Sequence, residues 1–237
     1  QIFYYISPQI WAWKEKRIET IKKYVDHMIV IFEFEKDWYA KRGVKTKFFG
    51  HPFLDVWNKG DNQNFIQKYN IDLNKPVITL FPGSRTQELK NHLNILIDAS
   101  INMKRQIPDV QILLGLHPNI NKPNIDETDI IIVHDEPLKA LEIATLAVVS
   151  SGTATLQAAI MNTPSIVVYK MNVWSWYLTR NLVQVKFASM ANIIADKLVF
   201  PELLQQQLTS ESISELGMKW CQEPKVVSLY YNQMENK

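Results

Sequence analysis

A turn of small residues follows a strongly apolar run near the middle of the chain. The stretch from Val148 to Ala159 reads VVSSGTATLQAA, so a buried strand is predicted to end at Ser150 and a helix to begin soon after it. The residues in between have little bulk: Ser151, Gly152, Thr153, Ala154 and Thr155. Backbone N–H groups at a helix N-terminus favour an anion, so this turn can hold a diphosphate without a lysine. A tight strand-to-helix turn with hydroxyl caps explains the same residues without any ligand.

A second turn reads LFPGSRTQE, from Leu80 to Glu88, and also lies between a predicted strand and a predicted helix. Gly83 permits a tight turn and a close approach of the backbone to a ligand. Ser84 and Gln87 have the S-x-x-Q spacing of a capping box, so we expect Ser84 to cap the helix. Arg85 then lies in the first helical turn, beside N–H groups that favour an anion. A capped helix with a solvent-exposed arginine is an equally good interpretation.

Both turns follow strands of one predicted sheet, and together they favour a nucleoside diphosphate as the ligand. Open parallel sheets bind ligands beyond the carboxyl ends of their strands. Gln157 can reach a sugar hydroxyl from one helical turn further on, and Lys170 can add a positive charge just after the predicted strand Ser165–Tyr169. A lysine at a strand end is otherwise usually only solvated. The glycine patterns of P-loops and of dinucleotide-binding turns are absent from the sequence.

The stretch from Tyr4 to Arg17 combines aromatic with basic side chains and reads YYISPQIWAWKEKR. Residues 1–50 contain ten Lys or Arg and six Asp or Glu, a local balance of +4. That balance suits a surface that meets anionic lipid or phosphate, although a solvated helix face is the commoner cause. Trp11 and Trp13 either pack within the domain or contact acyl chains and lipid phosphates at a membrane interface. In the second case they act with three basic neighbours: Lys14, Lys16 and Arg17.

The composition excludes several classes of protein and of site. The formal net charge of +2 is too small to indicate a nucleic-acid partner. Cys221 is the only cysteine, so an intrachain disulfide and a cysteine-based metal site are excluded, and the five histidines show no ligand spacing. No apolar run approaches the roughly 18–20 residues of a membrane-spanning helix. The chain starts inside a predicted strand, which we interpret as truncation, and we expect the exposed sheet edge to favour aggregation or a homodimer.

Short β-branched runs alternate with helical patterns along the chain, which is the signature of βαβ units. Strands are predicted at Ile2–Ile6, Met28–Phe32, Val44–Phe49, Val77–Phe81, Val110–Leu114, Asp129–Val133, Leu146–Val149 and Ser165–Tyr169. The pattern from Trp174 onward is helical, with Pro201 and Pro224 each opening a helix. We therefore predict an α/β protein with two Rossmann-like parallel sheets, of which the first is incomplete.

Four segments follow from this pattern. Residues 1–52 are the C-terminal portion of a first Rossmann-like domain, and 53–75 are a connector with a short helix. Residues 76–197 are a second Rossmann-like domain that carries both turns, and 198–237 are C-terminal helices.

Seven stretches closely resemble, in this order, bacterial lipid-A-disaccharide synthase, a family of GT-B glycosyltransferases. They are YYISPQIWAWKEKR, FEKDWY, GHPFLD, FPGSRTQE, SGTATLQ, VYKM and ASMANIIADKLVFPELLQ. The resemblance implies two Rossmann-like domains with a cleft between them. It implies an inverting hexosyltransferase that condenses UDP-2,3-diacylglucosamine with 2,3-diacylglucosamine 1-phosphate (lipid X), giving lipid A disaccharide 1-phosphate and UDP. It also implies a peripheral enzyme of lipopolysaccharide synthesis on the cytoplasmic face of the bacterial inner membrane.

The same resemblance gives several residues a role at UDP. Gly83, Ser84 and Arg85 match the family's G-S-R turn near the diphosphate, and Glu88 matches its following acid. Ser151, Gly152 and Thr153 match its S-G-T turn, and Asn192 matches the asparagine of its S-L-P-N stretch, although Met190 and Ala191 replace the usual Leu-Pro. Gln157 stands where the family usually has Glu near the ribose, and we expect weaker donor binding because an amide is a weaker acceptor than a carboxylate.

No catalytic residue is assigned, because the family's presumed acid/base groups lie upstream of Gln1. A fragment of this kind can bind UDP without catalysing transfer. We expect no metal or cofactor, since fixed N–H groups, Arg85 and Lys170 can hold the departing UDP and no Asp-x-Asp pair is present.

Two other interpretations stay open. One is a non-catalytic UDP-binding fragment or a degenerate paralogue, motivated by Gln157 and by the start of the chain. The other is a different GT-B enzyme that acts on UDP-N-acetylglucosamine. The apolar stretch SPQIWAW counts against the second, because a water-soluble substrate gives no reason for it.

Overall fold

The computed structural model describes residues 1–125, 129–172 and 185–222, which divide into two units. The first unit contains Gln1–Asn58 together with Asn172 and 185–186. The second contains Lys59–Met171 and 187–222. Each unit has its own parallel sheet, so the α/β class expected from the sequence is confirmed.

The first unit is built on a three-stranded parallel sheet in the order β1–β2–β3. Its strands are β1 Phe3–Tyr5, β2 His27–Val30 and β3 Thr46–Phe48, each shorter than the sequence predicted. A 3₁₀ turn at Glu15–Arg17 precedes α1 Ile18–Tyr24, and α2 Glu33–Ala40 and α3 Pro52–Val56 follow. Ile18 and Ile21 of α1 pack with Met28 and Val30 of β2 in one apolar cluster. The lysines of α1 stay exposed on the opposite face, as expected of an amphipathic surface helix.

The second unit is built on a six-stranded sheet in the order β6–β5–β4–β7–β8–β9, with every pairing parallel. Its strands are β4 Val77–Phe81, β5 Gln111–Gly115, β6 Ile130–Val133, β7 Leu146–Ser150, β8 Ser165–Tyr169 and β9 Glu202–Leu204. Its helices are α4 Gln63–Lys68, α5 Thr86–Gln106, α6 Pro137–Glu142, α7 Thr153–Ile160, α8 Met190–Ala195 and α9 Ser210–Gln222, with a 3₁₀ turn at Gln205–Gln207.

Helices cover both faces of this sheet, which is why β7 is buried along its whole length. Successive strand residues point to opposite faces. Val148 accordingly packs in a cluster with Leu96 of α5 and Ile213 of α9, whereas Val149 packs in another with Ala158 of α7. Full burial of a side chain such as Leu96 stabilises the fold by about 2 kcal/mol. The two clusters hold the strand ends, and the loops that leave them, in fixed positions.

The segment after Phe200 differs from the prediction. Pro201 precedes strand β9 instead of opening a helix, and its carbonyl accepts a hydrogen bond from the N–H of Val167 at 2.9 Å. The prediction that 198–237 is wholly helical is therefore wrong. Pairing with β8 and the packing of Leu203 against the core override the helical preference of the sequence Glu-Leu-Leu-Gln. Trp174 and Pro224 lie outside the described residues.

The division between the units falls at Asn58–Lys59, inside the stretch 53–75 that the sequence marks as a connector. Two short helices, α3 and α4, flank this point where the sequence predicted one. The connector is therefore more ordered than its Asn- and Asp-rich composition indicated.

Candidate functional site

The two small-residue turns leave the sheet from neighbouring strands. β4 pairs with β7, with Phe81 opposite Val149, and β7 pairs with β8, with Ser150 opposite Val168. Neighbouring strands lie about 4.8 Å apart, so the loops after these strands start from one edge of the sheet. This carboxyl edge is where open parallel sheets bind ligands. The structure therefore brings both predicted turns, and the loop that begins with Lys170, to the same edge.

Gly152 is the N-cap of α7 and has a backbone conformation that only glycine adopts readily. Its φ is +155° and its ψ is −154°. Apart from its two neighbours in the chain, no described residue has an atom within 4 Å of the point where a Cβ would stand, and both Gly152 and Thr153 are exposed. A ligand can therefore approach the backbone of this turn, as its small residues predicted.

The backbone N–H groups of this turn fall into two sets. Ser151 donates to the carbonyl of Val168 at 2.9 Å, and Thr155 donates to the carbonyl of Gly152 at 3.2 Å. Three consecutive N–H groups have no acceptor among the described residues, those of Gly152, Thr153 and Ala154. They lie at the positive end of the helix dipole and are suited to a phosphate.

Two of the three hydroxyl groups of the turn are used within the protein. Ser151 Oγ donates to the carbonyl of Ala188 at 2.6 Å, and Thr155 Oγ1 donates to the carbonyl of Gly152 at 2.8 Å. Ser151 and Thr155 therefore fix the shape of the turn. The predicted contact of a ligand with backbone N–H groups applies only to the three residues between them.

The turn at Gly83 is paired with the protein's own carboxylate. α5 begins at Thr86 with Arg85 as its N-cap, and Glu88 Oε2 accepts from the N–H groups of Ser84 at 2.9 Å and of Arg85 at 3.3 Å. The prediction that Ser84 caps the helix is wrong. The acid three residues after the N-cap reaches back instead, because a carboxylate is a stronger acceptor than a hydroxyl.

Glu88 also restrains Arg85. Its Oε1 lies 3.4 Å from Arg85 Nη1, while 82% of the Arg85 side chain is exposed. An exposed ion pair of this kind contributes little, so the guanidinium can turn towards a bound phosphate. The Glu88 carboxylate also acts on Tyr169. The pKa of this tyrosine is raised, first by burial and second by the negative charge of Glu88. The two turns are therefore unequal. In the Gly83 turn the N–H groups of Ser84 and Arg85 face Glu88, whereas those of Gly152, Thr153 and Ala154 have no acceptor among the described residues.

His92 hydrogen-bonds to two of these loops, the one after β4 and the one after β8. It is fully buried on α5, with Nδ1 2.8 Å from the carbonyl oxygen of Pro82 and Nε2 2.9 Å from the backbone nitrogen of Lys170. An amide N–H only donates, so Nε2 accepts and Nδ1 carries the proton. Burial lowers the pKa of His92, which keeps the ring neutral. The neighbouring Asn91 donates from Nδ2 to the carbonyl of Lys170 at 2.9 Å.

The sequence analysis missed Asn91 and His92. The sequence contained one indication of their role. His92 lies on the buried face of α5, where its neighbours Leu96 and Ala99 are apolar. A polar group at such a position needs hydrogen-bond partners. Both partners here come from loops at the carboxyl edge of the sheet, so they can be identified only from the folded structure.

Asn192 lies inside the second unit. Its Oδ1 accepts from the N–H groups of Val199 at 2.8 Å and Phe200 at 2.9 Å. Its Nδ2 donates to the Phe200 carbonyl and to Glu202 Oε1, both at 2.8 Å, and the side chain is fully buried. The resemblance placed Asn192 at UDP, but the structure gives it a different place, in which it joins α8 to β9.

Glu202 extends this network towards the Gly152 turn. Its carboxylate accepts from the N–H groups of Ala188 and Ser189, each at 2.9 Å. The Ala188 carbonyl is the acceptor of the Ser151 hydroxyl. Asn192 and Glu202 therefore support the turn from a distance, which no sequence spacing indicated.

Gln157 lies on α7 and is half-buried, with no side-chain hydrogen bond to the described residues. Its predicted contact with a ribose stays a prediction.

Ser150 was not predicted as a site residue. It is 4% exposed at the end of β7, and its hydroxyl has no partner among the described residues. A buried hydroxyl without a partner is unfavourable, so a polar group at this strand end would stabilise it.

Trp11 is buried in the first unit, with 6% of its surface exposed. Its indole N–H donates to Glu35 Oε1 at 2.9 Å, and its ring meets Phe34 edge-on. The expectation that Trp11 contacts lipid is therefore wrong, and the alternative of packing within the domain holds. The cause is Glu35, a fully buried carboxylate that also accepts from Ser7 Oγ at 2.6 Å and needs such donors.

Trp13 has the opposite environment. It is 44% exposed, and Lys14 Nζ lies 4.1 Å from the centroid of its ring. Lys16 and Arg17 are exposed on the 3₁₀ turn that follows. None of the described helices is both long and apolar enough to cross a bilayer.

The chain matches a family model described as lipid-A-disaccharide synthetase over residues 1–233. Lipid-A-disaccharide synthase of Coxiella burnetii strain CbuK_Q154 is 38% identical over 219 residues, which cover 91% of this chain and 58% of that protein. Lipid-A-disaccharide synthase 1 of Legionella pneumophila strain Philadelphia 1 is 31% identical over 241 residues, which cover 99% and 63%. The chain thus spans about three fifths of the length of these curated relatives.

Solved structures share the fold at low sequence identity. The UDP-GlcNAc 2-epimerase from Neisseria meningitidis, solved with UDP-GlcNAc bound, matches with a TM-score of 0.57 at 14% identity, covering 87% of this chain and 55% of that one. WaaG, a glycosyltransferase involved in lipopolysaccharide biosynthesis, matches with a TM-score of 0.55 at 10% identity, covering 88% and 57%. Identities this low show the fold alone, and that fold is the GT-B type expected from the sequence.

Proposed function

Because the chain belongs to the lipid-A-disaccharide synthetase family, we propose that it carries the nucleotide-binding sheet of a lipid A glycosyltransferase. The proposed enzyme condenses UDP-2,3-diacylglucosamine with 2,3-diacylglucosamine 1-phosphate, giving lipid A disaccharide 1-phosphate and UDP. The observation that carries the proposal is the Gly152 turn, which has three N–H groups at the N-terminus of α7 with no acceptor in the described part of the chain. A diphosphate fits this position at the carboxyl edge of a parallel sheet.

The departure of UDP defines what the residues of the edge would do. When the anomeric C–O bond breaks, its electron pair goes to the β-phosphate of UDP. The acceptor hydroxyl attacks the opposite face of the sugar, inverts that carbon and gives its proton to a general base, which we do not assign to a described residue. The N–H groups of the Gly152 turn, the Arg85 guanidinium and the Lys170 ammonium would stabilise the charge that forms on the phosphate.

Binding of UDP to the chain tests the site directly. Calorimetry should show UDP binding more tightly than uridine, because only UDP has phosphates for the turn. Arg85→Ala should weaken UDP binding several-fold, by the roughly 1–2 kcal/mol of one charge-assisted hydrogen bond. Lys90→Ala removes the same charge from an exposed residue of the same helix and should change nothing. Equal affinity of wild type and Arg85→Ala would remove Arg85 from the diphosphate site.

Donor specificity separates the proposed enzyme from the other interpretations. With the product of the complete gene, UDP should be released from the diacylated donor and not from UDP-N-acetylglucosamine. Binding of UDP without turnover of either donor would instead identify a non-catalytic paralogue. Turnover of the simple acetylated donor would identify a different GT-B enzyme. Gln157→Glu should raise the affinity for UDP if this side chain contacts the ribose, because a carboxylate is the stronger acceptor.

We also propose that the protein binds the cytoplasmic face of the inner membrane through Trp13 and its basic neighbours Lys14, Lys16 and Arg17. The exposure of this aromatic ring next to three cationic side chains supports the proposal. Trp13→Ala should reduce sedimentation with vesicles that contain anionic phosphatidylglycerol. Tyr24→Ala is the matched control, since Tyr24 is also an exposed aromatic beside a lysine, Lys23, but is not part of the proposed surface and should not affect the bound fraction. Equal sedimentation of Trp13→Ala and wild type would contradict the proposal.

A further inference from the structure

Three neighbouring loops form the proposed nucleotide edge, and the outer two are tied to the same helix. β7, which carries the Gly152 turn, lies between β4 and β8 in the sheet. His92 of α5 bonds the Pro82 carbonyl after β4 through Nδ1 and the Lys170 N–H after β8 through Nε2, at 2.8 Å and 2.9 Å. One rigid imidazole therefore spans from the loop on one side of the Gly152 turn to the loop on the other.

Both the backbone N–H and the backbone carbonyl of Lys170 are hydrogen-bonded to α5. Its N–H donates to His92 Nε2, and its carbonyl accepts from Asn91 Nδ2 at 2.9 Å. Asn91 Oδ1 in turn accepts from Gln87 Nε2 at 3.1 Å. The backbone from which the Lys170 side chain departs is thus fixed by two adjacent side chains of α5, although a loop residue usually has more freedom.

We propose that His92 is a positioning residue, which acts through Lys170 and the Gly83 turn to fix where the diphosphate binds. The inference rests on the proposed function and deepens it, because it assigns a role in UDP binding to a buried group that does not touch the ligand. The physical reason is preorganisation: groups that are already in place at binding stabilise charge without first having to be ordered.

The arrangement requires the neutral ring. Protonation would turn Nε2 into a donor that faces the Lys170 N–H, so the bond to this loop would be lost. The charged or titratable groups that face the ring are Glu88 on its own helix, Lys170 after β8, and Tyr169 of β8, whose ring centroid lies 6.1 Å away. Glu88 favours the protonated ring and Lys170 opposes it, while burial is the larger effect and lowers the pKa of His92.

The test measures UDP affinity by calorimetry at pH 8, where the ring is neutral. His92→Ala should weaken UDP binding about tenfold, because both loops lose a hydrogen bond to the ring. His92→Gln places an amide near the position of Nε2 and should restore part of the affinity. The matched control is His134→Gln. His134 lies in the loop after β6, away from the Gly152 turn, and its Nε2 also bonds a loop carbonyl, that of Ile120 after β5, at 2.7 Å. The control should bind UDP as the wild type does.

A second background separates positioning from general structural support. Lys170→Ala removes the ammonium group whose position His92 is proposed to fix. Adding His92→Ala in this background should therefore weaken UDP binding clearly less than it does in the wild type. The same loss in both backgrounds would overturn the inference, as would equal affinity of His92→Ala and His134→Gln. If His92→Ala does not fold, Asn91→Ala takes its place in the cycle, since it removes the bond to the Lys170 carbonyl and, besides that, only the exposed bond to Gln87 Nε2. Failure of the wild type to bind UDP would instead contradict the proposed function.

Discussion

Gly83 and Glu88 depend on each other at the start of α5. The carboxylate reaches the N–H of Ser84 only because Gly83 has no side chain, since a Cβ there would stand 2.4 Å from Glu88 Oε2. At Gly152 the corresponding point has no atom within 4 Å from any described residue other than its two chain neighbours. One glycine therefore makes room for a side chain of the protein, and the other leaves the backbone open to a ligand.

Alanine at these two glycines should separate stability from binding. Gly83→Ala should lower the free energy of unfolding by about 2–4 kcal/mol, because it combines an unfavourable positive φ with overpacking against Glu88. Gly152→Ala adds only backbone strain of about 1–3 kcal/mol, but it puts a methyl group on the exposed turn that is proposed to hold the diphosphate. Urea unfolding and UDP calorimetry on both variants measure the two effects. Gly152→Ala should show the larger loss of affinity, and a Gly83→Ala variant as stable as wild type would contradict the packing argument.

Asn192 should matter for stability far more than its small side chain indicates. Asn192→Ala leaves the buried N–H groups of Val199 and Phe200 without acceptors, so the free energy of unfolding should fall by about 2–4 kcal/mol. Asn94→Ala is the control, since Asn94 is exposed on α5 and alanine favours the helix there. Urea denaturation compares the two variants. A loss of UDP affinity with unchanged stability would restore the direct contact that the resemblance implied.

Helix α5 is the element on which the proposed edge depends. Its first turn carries Glu88, its second carries Asn91 and His92, and its later turns are fixed in the core by Leu96 and Met103. Loops on a rigid scaffold commonly carry function. Here the scaffold reaches into the loops through its polar side chains, so a displacement of α5 would move the Gly83 turn and Lys170 together.

The buried ring of His92 should also make stability depend on pH. Its pKa in the folded protein is lowered from 6.5, so as the pH falls below 6.5 the unfolded chain takes up a proton before the folded protein does. This contribution to stability is therefore present above pH 6.5 and lost below it, at no more than about 1.4 kcal/mol per pH unit. Urea unfolding at several pH values should show a shallower loss between pH 6.5 and 5 for His92→Gln than for wild type. Parallel curves would show that His92 is not the group involved.

The sequence predicted the strands of the second sheet far better than its polar contacts. β4, β7 and β8 were located to within a residue, because runs such as Val-Ile-Thr-Leu-Phe and Ser-Ile-Val-Val-Tyr are rich in β-branched residues and are buried except at their last residue. β9 was missed because Glu-Leu-Leu-Gln prefers a helix and becomes a strand only through its pairing with β8. Local propensity is thus a good guide where the core decides and a poor one at a sheet edge.

The candidate site could be predicted in outline only. The Gly152 turn followed from small residues after a buried strand, and its accessible backbone fits that prediction. The use of Glu88 as the cap, of Trp11 as a partner of Glu35 and of His92 as a bridge could not be predicted, because each depends on which group is closest in the folded protein. Spacing identifies candidates, and competition among neighbouring donors and acceptors decides between them.

At the scale of the whole molecule, the proposed reaction should not depend on a divalent cation. The positive groups of the edge, namely backbone N–H groups, Arg85 and Lys170, are of the kind that stabilises phosphate charge by themselves. Transfer by the product of the complete gene should therefore persist in EDTA at a rate close to that in magnesium. Abolition by EDTA, with recovery on adding Mg²⁺, would contradict this part of the proposal. A metal-dependent transferase of known behaviour serves as the control for the chelator.

The pairing of Glu88 with its own turn bears on which anions the protein would tolerate in a cell. Orthophosphate and sulfate are small and abundant, and each would be held mainly by the Gly152 turn, because the N–H groups of Ser84 and Arg85 already face a carboxylate. A pyrophosphate ester is longer and is attached to a nucleoside, so it can add further contacts to that same turn. Orthophosphate and sulfate should therefore be poor inhibitors of UDP binding at the proposed site.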